Sequence, residues 1–389
     1  MTNKLSKEKD YVLYQQICDE IFGEGTVKIK PASSNNVIGT FKYIDDYSNF
    51  IQNFKKRLIR LRELYEHTTA YPDILEQVKQ VADPKNWEGA YAELVAYDVM
   101  WNDFINKPIE INKTLPATES YAGEMGFKYT NEDGYIPDYM LYFDVKILAD
   151  TVGVILKGII DDAIKQSKQI VKCNILPEYP LDDDDNEYSC SRTKLFNELF
   201  DFLKSNNTMN KGKKHFRSKI IPNLSYIVNW GAGVNTAISE YDPYRHAEKT
   251  KHLIFKRYAK KIMKNDMFVL VLVNFPWYNH LISSFINANQ VYYRSLARRT
   301  FCENYKKCTQ LNTIVPKYNG NETVDEVSQH LSGIIFIDDN IIESEGYSCN
   351  IIMNPNALNT HSVAKDYLME LVAKGDEHSL FDDLQYDNY

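Results

Sequence analysis

One stretch decides the fold of this chain: Ile136-Pro137-Asp138-Tyr139-Met140-Leu141-Tyr142-Phe143-Asp144-Val145-Lys146-Ile147. From its third residue onward the side chains alternate between two sets. One set is apolar or aromatic and contains Tyr139, Leu141, Phe143, Val145 and Ile147. The other is Asp138, Met140, Tyr142, Asp144 and Lys146. A period of two is typical of a β-strand with one buried face. The stretch therefore predicts a strand that carries Asp144 and Lys146 together on its second face.

The chemistry of this acid–x–lysine pair suits the hydrolysis of a phosphodiester bond. A carboxylate can hold a divalent cation that polarises a phosphate and acidifies a bound water. The lysine can orient that water, or stabilise the negative charge that develops in the transition state. A metal site needs more than one oxygen ligand. Two further acids are candidates: Asp138, directly after Pro137, and Glu93, on an amphipathic helix predicted over residues 86–103.

This order of motifs resembles the PD-(D/E)XK nuclease superfamily. The resemblance covers about residues 87–173, with a predicted strand at 268–275 as a later core element. It implies a restriction-endonuclease-like α/β fold, that is, a mixed sheet flanked by helices. The core elements follow one another as a helix, a small antiparallel sheet, a second helix and a further strand. It further implies that Glu93, Asp138 and Asp144 bind Mg²⁺ or Mn²⁺, that Lys146 is the catalytic lysine, and that Gln166 supports the site from the following helix.

The function implied is metal-dependent cleavage of DNA, with RNA left open as a substrate. Stand-alone proteins of this superfamily serve in restriction and in defence against phage, so the resemblance also implies a homo-oligomer or a partner subunit of a defence system. The alternative is a catalytically silent protein of the same fold that binds nucleic acid or a partner protein.

The spacing between Asp138 and Asp144 departs from the superfamily pattern, because only five residues separate them and none is a turn former. On a straight strand the two acids would lie about 20 Å apart, at roughly 3.3 Å per residue. One Mg²⁺, with oxygen ligands at about 2.1 Å, does not span that distance. We therefore expect a bulge near 140–142 that re-aims Asp138. A hairpin turn at 131–134 would instead place Glu119 opposite Lys146 and make it the second ligand, with Glu124 as a weaker substitute.

The rest of the chain completes a four-part organisation. Residues 1–85 are predicted to be helical, with an apolar stripe on a helix at 47–67 and basic residues, including Arg57, on a solvated face. Residues 86–173 hold the first part of the core, including a helix at 152–172. Residues 174–218 contain prolines and a run of aspartates, which indicate an insertion or linker with one helix. Residues 219–389 supply the second part of the core, with strands at 224–228, 268–275, 333–337 and 349–353, and helices at 244–263 and 280–305.

Charge and composition limit the partners and the compartment. The net charge of −8 argues against binding to nucleic acid by bulk charge alone, so a local basic surface is needed. Arg294 and Arg298 lie one turn apart on the predicted helix at 280–305, where they suit either a phosphate backbone or surface salt bridges.

The longest apolar run, 267–273, is too short for a membrane helix. The N-terminus lacks a signal pattern, and no Cys-x-x-Cys occurs. We expect a cytoplasmic protein without a membrane partner.

Overall fold

The predicted strands and helices assemble into two compact units, residues 1–148 with 250–389, and residues 149–249. The computed structural model describes residues 2–30, 48–83, 86–102, 109–116, 129–148, 151–167, 173–179, 185–206, 212–230, 243–262, 267–276, 288–301, 323–342, 346–354, 356–358 and 379–380. The helices are α1 Thr2–Phe22, α2 Ser48–Tyr65, α3 Tyr71–Gln80, α4 Trp87–Asn102, α5 Thr151–Ser167, α6 Asp185–Ser205, α7 Pro243–Ile262, α8 Ala288–Thr300 and α9 Val324–His330. The strands are β1 Glu110–Pro116, β2 Tyr129–Ile136, β3 Leu141–Ile147, β4 Cys173–Glu178, β5 Gly212–Arg217, β6 Ser225–Trp230, β7 Met267–Asn274, β8 Leu331–Asp339, β9 Tyr347–Met353 and β10 Ser379–Leu380.

The first unit is built on a seven-stranded mixed sheet with the order β1-β2-β3-β7-β8-β9-β10. Strands β1, β2 and β3 form an antiparallel meander, and β3, β7 and β8 run parallel to one another. Strand β9 is antiparallel to β8, and the two-residue β10 is parallel to β9. The eight residues of β7 are all buried, as expected for a central strand of a parallel sheet covered on both faces.

Helices cover both faces of this sheet. Apolar residues of α1 to α4 share one hydrophobic core with alternate residues of the strands, among them Phe143, Val271 and Ile335. On the other face, the Tyr293 ring of α8 stacks on Phe336 of β8 at a centroid distance of 4.2 Å. The predicted α/β class, with a mixed sheet flanked by helices, is therefore confirmed. Among the helices described, none has both the length and the apolar character that crossing a membrane requires.

The second unit has a sheet and a core of its own. Its three antiparallel strands have the order β4-β6-β5, and apolar residues of α5 and α6 pack on one face of them. This unit, Ala149–Lys249, is larger than the insertion predicted at 174–218, since it also contains α5 and β6. Within that segment, Pro177 lies inside β4 and Asp185 begins α6, whereas Pro180 and residues 182–184 fall outside the described residues.

The hairpin turn predicted at 131–134 is wrong. Those residues lie inside β2, and the chain turns instead at Pro137–Tyr139, a single 3₁₀ turn closed by Met140 in the left-handed region (φ 49°). Proline favours this position because its ring presets φ for a tight turn. Gly134 serves packing and not turning, since a Cβ at Gly134 would overlap the ring of Phe143 on the neighbouring strand.

The solvated helix face predicted around Arg57 is also wrong for that residue. Arg57 is 1% exposed, and its guanidinium pairs with Asp98 at 3.1 Å and with Asp339 at 2.7 Å. Burial on its own lowers the pKa of Arg57, but the negative charges of Asp339 and Asp98 raise it above its ordinary value. Arg57 is thus a buried ionic link between α2, α4 and the end of β8.

Candidate active site

Asp144 and Lys146 lie on one face of β3, as the alternation predicted for residues 141–147. Leu141 and Phe143 point into the core shared with α4, so Asp144 and Lys146 lie on the opposite face, together with Tyr142. Strand β3 pairs with β7 along its whole length, which fixes both residues beside the buried centre of the sheet. Asp144 is 1% exposed, whereas Lys146 is half-buried.

The pairing of β2 with β3 ends beside Asp144. The two strands are paired from Ile136/Leu141 to Gly134/Phe143. At the next position the backbone N–H of Asp133 donates to Asp144 Oδ1 at 3.1 Å, and the N–H of Val145 donates to Asp133 Oδ2 at 2.7 Å. Two carboxylates therefore accept the backbone hydrogen bonds that would otherwise continue the ladder. We call this pair, Asp133 and Asp144, the aspartate fork.

Both carboxylates of the fork belong to the same face of the sheet. The rings of Tyr135 and Tyr142 stack across β2 and β3 at a centroid distance of 4.2 Å, which shows that these two side chains share a face. Asp133 is two residues from Tyr135, and Asp144 is two residues from Tyr142, so both follow their tyrosine to that face. Lys146 is the next side chain along the same face of β3.

Glu93 lies on the helix that packs on the other face of β3, and one residue joins it to the fork. The Tyr97 hydroxyl lies 3.3 Å from Glu93 Oε2 and 3.0 Å from the backbone oxygen of Asp133. Tyr97 also packs its ring against Phe143. Burial, followed by the charges of Glu93 and Asp133, raises the pKa of Tyr97 well above its usual value, so the hydroxyl remains a donor at neutral pH.

The structure does not place Asp138 as the bulge hypothesis required. Asp138 lies in the exposed 3₁₀ turn before β3, and the strand begins only at Leu141. The straight strand from 139 to 147 and the bulge are therefore both wrong. Continuing the β2–β3 register puts Asn131, and not Glu119, opposite Lys146. Glu119 and Glu124 fall outside the described residues.

The remaining predicted site residues lie elsewhere. Gln166 is on α5, in the second unit. On α8, Arg294 is half-buried and Arg298 is 6% exposed, so this helix does not present two open guanidinium groups to a phosphate backbone.

Asp133 and Asp144 are the two residues of this face that could offer carboxylate oxygens to a metal ion. Within the described ranges, no group of three or more His, Cys, Asp or Glu side chains is arranged to hold a metal ion. Mg²⁺ in phosphate-processing sites is commonly bound through one or two carboxylates, with waters and substrate oxygens completing its shell. Because an ionised carboxylate has about four acceptor positions, one backbone hydrogen bond does not prevent it from binding a cation. Among the described residues, the fork could therefore contribute at most two carboxylates to a metal ion, and water and substrate would have to supply the other ligands.

Comparison with known proteins identifies no relative. No protein-family model matches the chain, and neither does any curated protein or any solved structure. The function must therefore be argued from the site.

Asp133 is the site residue that sequence reasoning missed. The pattern at 131–134 predicts a turn that contains Asp133, whereas the structure places Asp133 in β2. Pro137 was the signal that could have placed it. A turn centred on Pro137–Tyr139 pairs Ile136 with Leu141, and the antiparallel register then leads to Asp133 beside Asp144.

Proposed function

We propose that this chain is a metal-dependent nuclease of the restriction-endonuclease-like class that hydrolyses phosphodiester bonds in DNA. The observation that carries the proposal is the aspartate fork, with Lys146 next to it on the same face of β3. Two carboxylates and a lysine together suit an anionic substrate whose reaction builds up further negative charge.

Each residue has a separate task in this reaction. Asp133 and Asp144 would hold Mg²⁺ or Mn²⁺, and the bound cation would polarise the phosphate and acidify a water. Lys146 positions the attacking water and stabilises the charge of the transition state. The oxygen of that water bonds to phosphorus, one ester P–O bond breaks, and the departing oxygen takes a proton. Tyr97 of α4 holds β2 beside that helix through its contact with the Asp133 backbone oxygen, and it also contacts Glu93 one turn earlier on α4.

The order of elements supports the same proposal. Helix α4 precedes the antiparallel strands β1, β2 and β3, helix α5 follows them, and the later strand β7 is parallel to β3. This is the succession that the superfamily resemblance implies. It is an argument from topology alone, so the function rests on the fork and on Lys146.

A catalytically silent protein of the same fold is the second candidate, and one observation favours it. Asp144 is 1% exposed, and one of its oxygens already accepts a hydrogen bond from Asp133. A cation must enter a nearly closed space between β2 and β3 to reach it. A silent protein would keep this arrangement as a structural clamp between the two strands.

A cleavage assay separates the two candidates. The full chain is incubated with supercoiled plasmid, linear duplex, single-stranded DNA and RNA, each with Mg²⁺, Mn²⁺ or EDTA. The proposal predicts cleavage of DNA that EDTA abolishes. Cleavage of RNA alone would change the proposed substrate from DNA to RNA and leave the proposed hydrolysis of phosphodiester bonds unchanged. Intact substrates under every condition would support the silent protein.

A further inference from the structure

A long part of the second unit carries no acidic residue. Residues 202–239 contain no Asp or Glu, whereas the average of 53 acids in 389 residues would place about five there. The same stretch contains six basic residues: Lys204, Lys211, Lys213, Lys214, Arg217 and Lys219. In a chain with a net charge of −8, this concentration of one sign makes the sequence of the segment locally basic.

The centre of this segment is an edge strand. Strand β5 pairs with β6 on one side only, because the order of the sheet is β4-β6-β5. Exposure alternates along it: Lys213, His215 and Arg217 are exposed, whereas Lys214 and Phe216 are half-buried. The three exposed residues therefore share one face of the sheet and recur about every 6.8 Å along the strand.

The other face of β5 has a structural role. The Phe216 ring stacks on Phe202 of α6 at a centroid distance of 4.4 Å. The Lys214 ammonium donates to the Asn206 side chain at 2.7 Å and lies 5.8 Å from the centre of the Trp230 ring. Packing thus uses the inner face, and the basic residues of the outer face are not part of the hydrophobic core of the unit.

The outer face of the central strand beside β5 carries no charged side chain. Lys213 is paired in register with Asn229, His215 with the buried Ile227, and Arg217 with Ser225. The acid on this face is Glu178 at the far edge, on β4, and it accepts a hydrogen bond from the Ser225 hydroxyl at 2.9 Å. The positive charges of Lys213 and Arg217 are therefore next to neutral neighbours on the central strand.

We propose that the exposed face of β5, formed by Lys213, His215 and Arg217, binds the phosphate backbone of the nucleic acid on which the chain acts. The choice of partner rests on the proposed function, and the surface itself rests on charge complementarity. Regularly spaced cations on a strand suit a polymer of regularly spaced phosphates, and such contacts bind without reading sequence. The second unit would thus serve as an anchor for substrate.

A different role for the same residues is protection of the sheet edge. Lysines on edge strands prevent edge-to-edge association of sheets. That role predicts that the chain self-associates when the charges are removed and that its affinity for nucleic acid does not change. The two roles therefore predict different results for the same variant.

The test uses the full chain in EDTA, where no cleavage interferes, and a fluorescein-labelled DNA duplex followed by anisotropy. The double variant Lys213→Gln with Arg217→Gln is compared with wild type between about 50 and 200 mM salt. We expect at least roughly tenfold weaker binding and a log–log salt slope smaller by about 2.

The matched control is Lys157→Gln with Lys194→Gln, which removes the same charge from exposed positions of α5 and α6. A reciprocal swap, Lys213→Arg with Arg217→Lys, should keep the wild-type slope.

Three outcomes would overturn the proposal. They are wild-type protein that does not bind the duplex, a double variant with an unchanged slope, and a control variant that loses as much affinity as the double variant. Sedimentation of the double variant then shows whether the edge has begun to self-associate. Because binding is measured without metal, the result does not depend on whether the chain cleaves DNA, and the cleavage assay tests the proposed function separately.

Discussion

Asp133 donates its backbone N–H to the carboxylate of Asp144 across 3.1 Å, at the point where the pairing of β2 and β3 ends. The reverse contact, from Val145 N–H to the Asp133 carboxylate, closes the pair. The ladder thus ends in two carboxylates on one face of the sheet, with Asp144 buried and Asp133 half-buried. Two acidic side chains at the end of a strand pairing, beside Lys146 on the same face, are the reason to treat the fork as a functional feature.

The first prediction separates Asp133 from Asp138 as the second metal ligand. Asp133→Asn keeps an acceptor for the Val145 N–H but removes the charge that a cation needs, so we expect cleavage to fall at least about 100-fold. Asp138→Asn changes an exposed turn residue and should remain near wild type. The measurement is the single-turnover rate on plasmid. An inactive Asp138→Asn variant together with an active Asp133→Asn variant would identify Asp138, and not Asp133, as the second metal ligand.

Glu93→Gln is expected to raise the Mg²⁺ concentration that gives half-maximal activity. The change is nearly isosteric, and it removes the negative charge beside Tyr97, whose hydroxyl contacts the backbone of Asp133. Thermal unfolding should be almost unaltered, because Glu93 is only partly buried. Tyr97→Phe is the companion variant. If Glu93 acts through the Tyr97 hydroxyl, the double variant should show no larger shift than either single one. An unchanged metal requirement would leave Glu93 as a helix-surface residue.

The two arginines of α8 should behave differently from each other. Arg294 is half-buried and can still reach a phosphate, so Arg294→Ala should reduce the salt slope of DNA binding by about 1. Arg298 is 6% exposed, so Arg298→Ala should leave the slope unchanged and lower the free energy of unfolding by about 1–3 kcal/mol. If both variants reduced the salt slope of DNA binding equally, both arginines would contact phosphates, which is the phosphate-backbone role considered for them from the sequence.

Arg57→Met tests the buried ionic link. The substitution fills the space of the side chain but leaves Asp98 and Asp339 buried without their shared partner. Removing one member of such a pair costs about 3–5 kcal/mol, which urea titration would measure as a lower free energy of unfolding. Arg60→Met is the matched control. Arg60 binds the same Asp98 from a more exposed position and should cost about 1 kcal/mol or less. Equal costs would show that burial does not distinguish the two arginines.

Local patterns predicted most of the elements, because each depends on a repeat that a single strand or helix must satisfy. The alternation at 139–147 corresponds to a strand from Leu141 onward, and the apolar run at 267–273 lies in β7, the central strand beside it. The partner of Asp144 needed the register between two strands, which depends on where the turn lies. Because the sequence pattern predicts a turn at Asp133-Gly134, where the structure has strand β2, it does not identify Asp133 as the carboxylate beside Asp144. Arg57 shows the same limit, since its partner Asp339 is 282 residues away.

Lys146 is the central residue of the proposed active site, and one comparison tests its role. The full-length Lys146→Ala variant and wild type are assayed side by side for single-turnover cleavage of DNA in Mg²⁺, after circular dichroism and urea titration have shown that both are folded. Lys146 is half-buried on β3 and is not part of the hydrophobic core, so the fold should persist. We predict that the cleavage rate falls at least about 100-fold, because the water loses its orientation and the transition state loses a positive charge. A folded variant that cleaves as fast as wild type would contradict the assignment of this face of β3 as the active site.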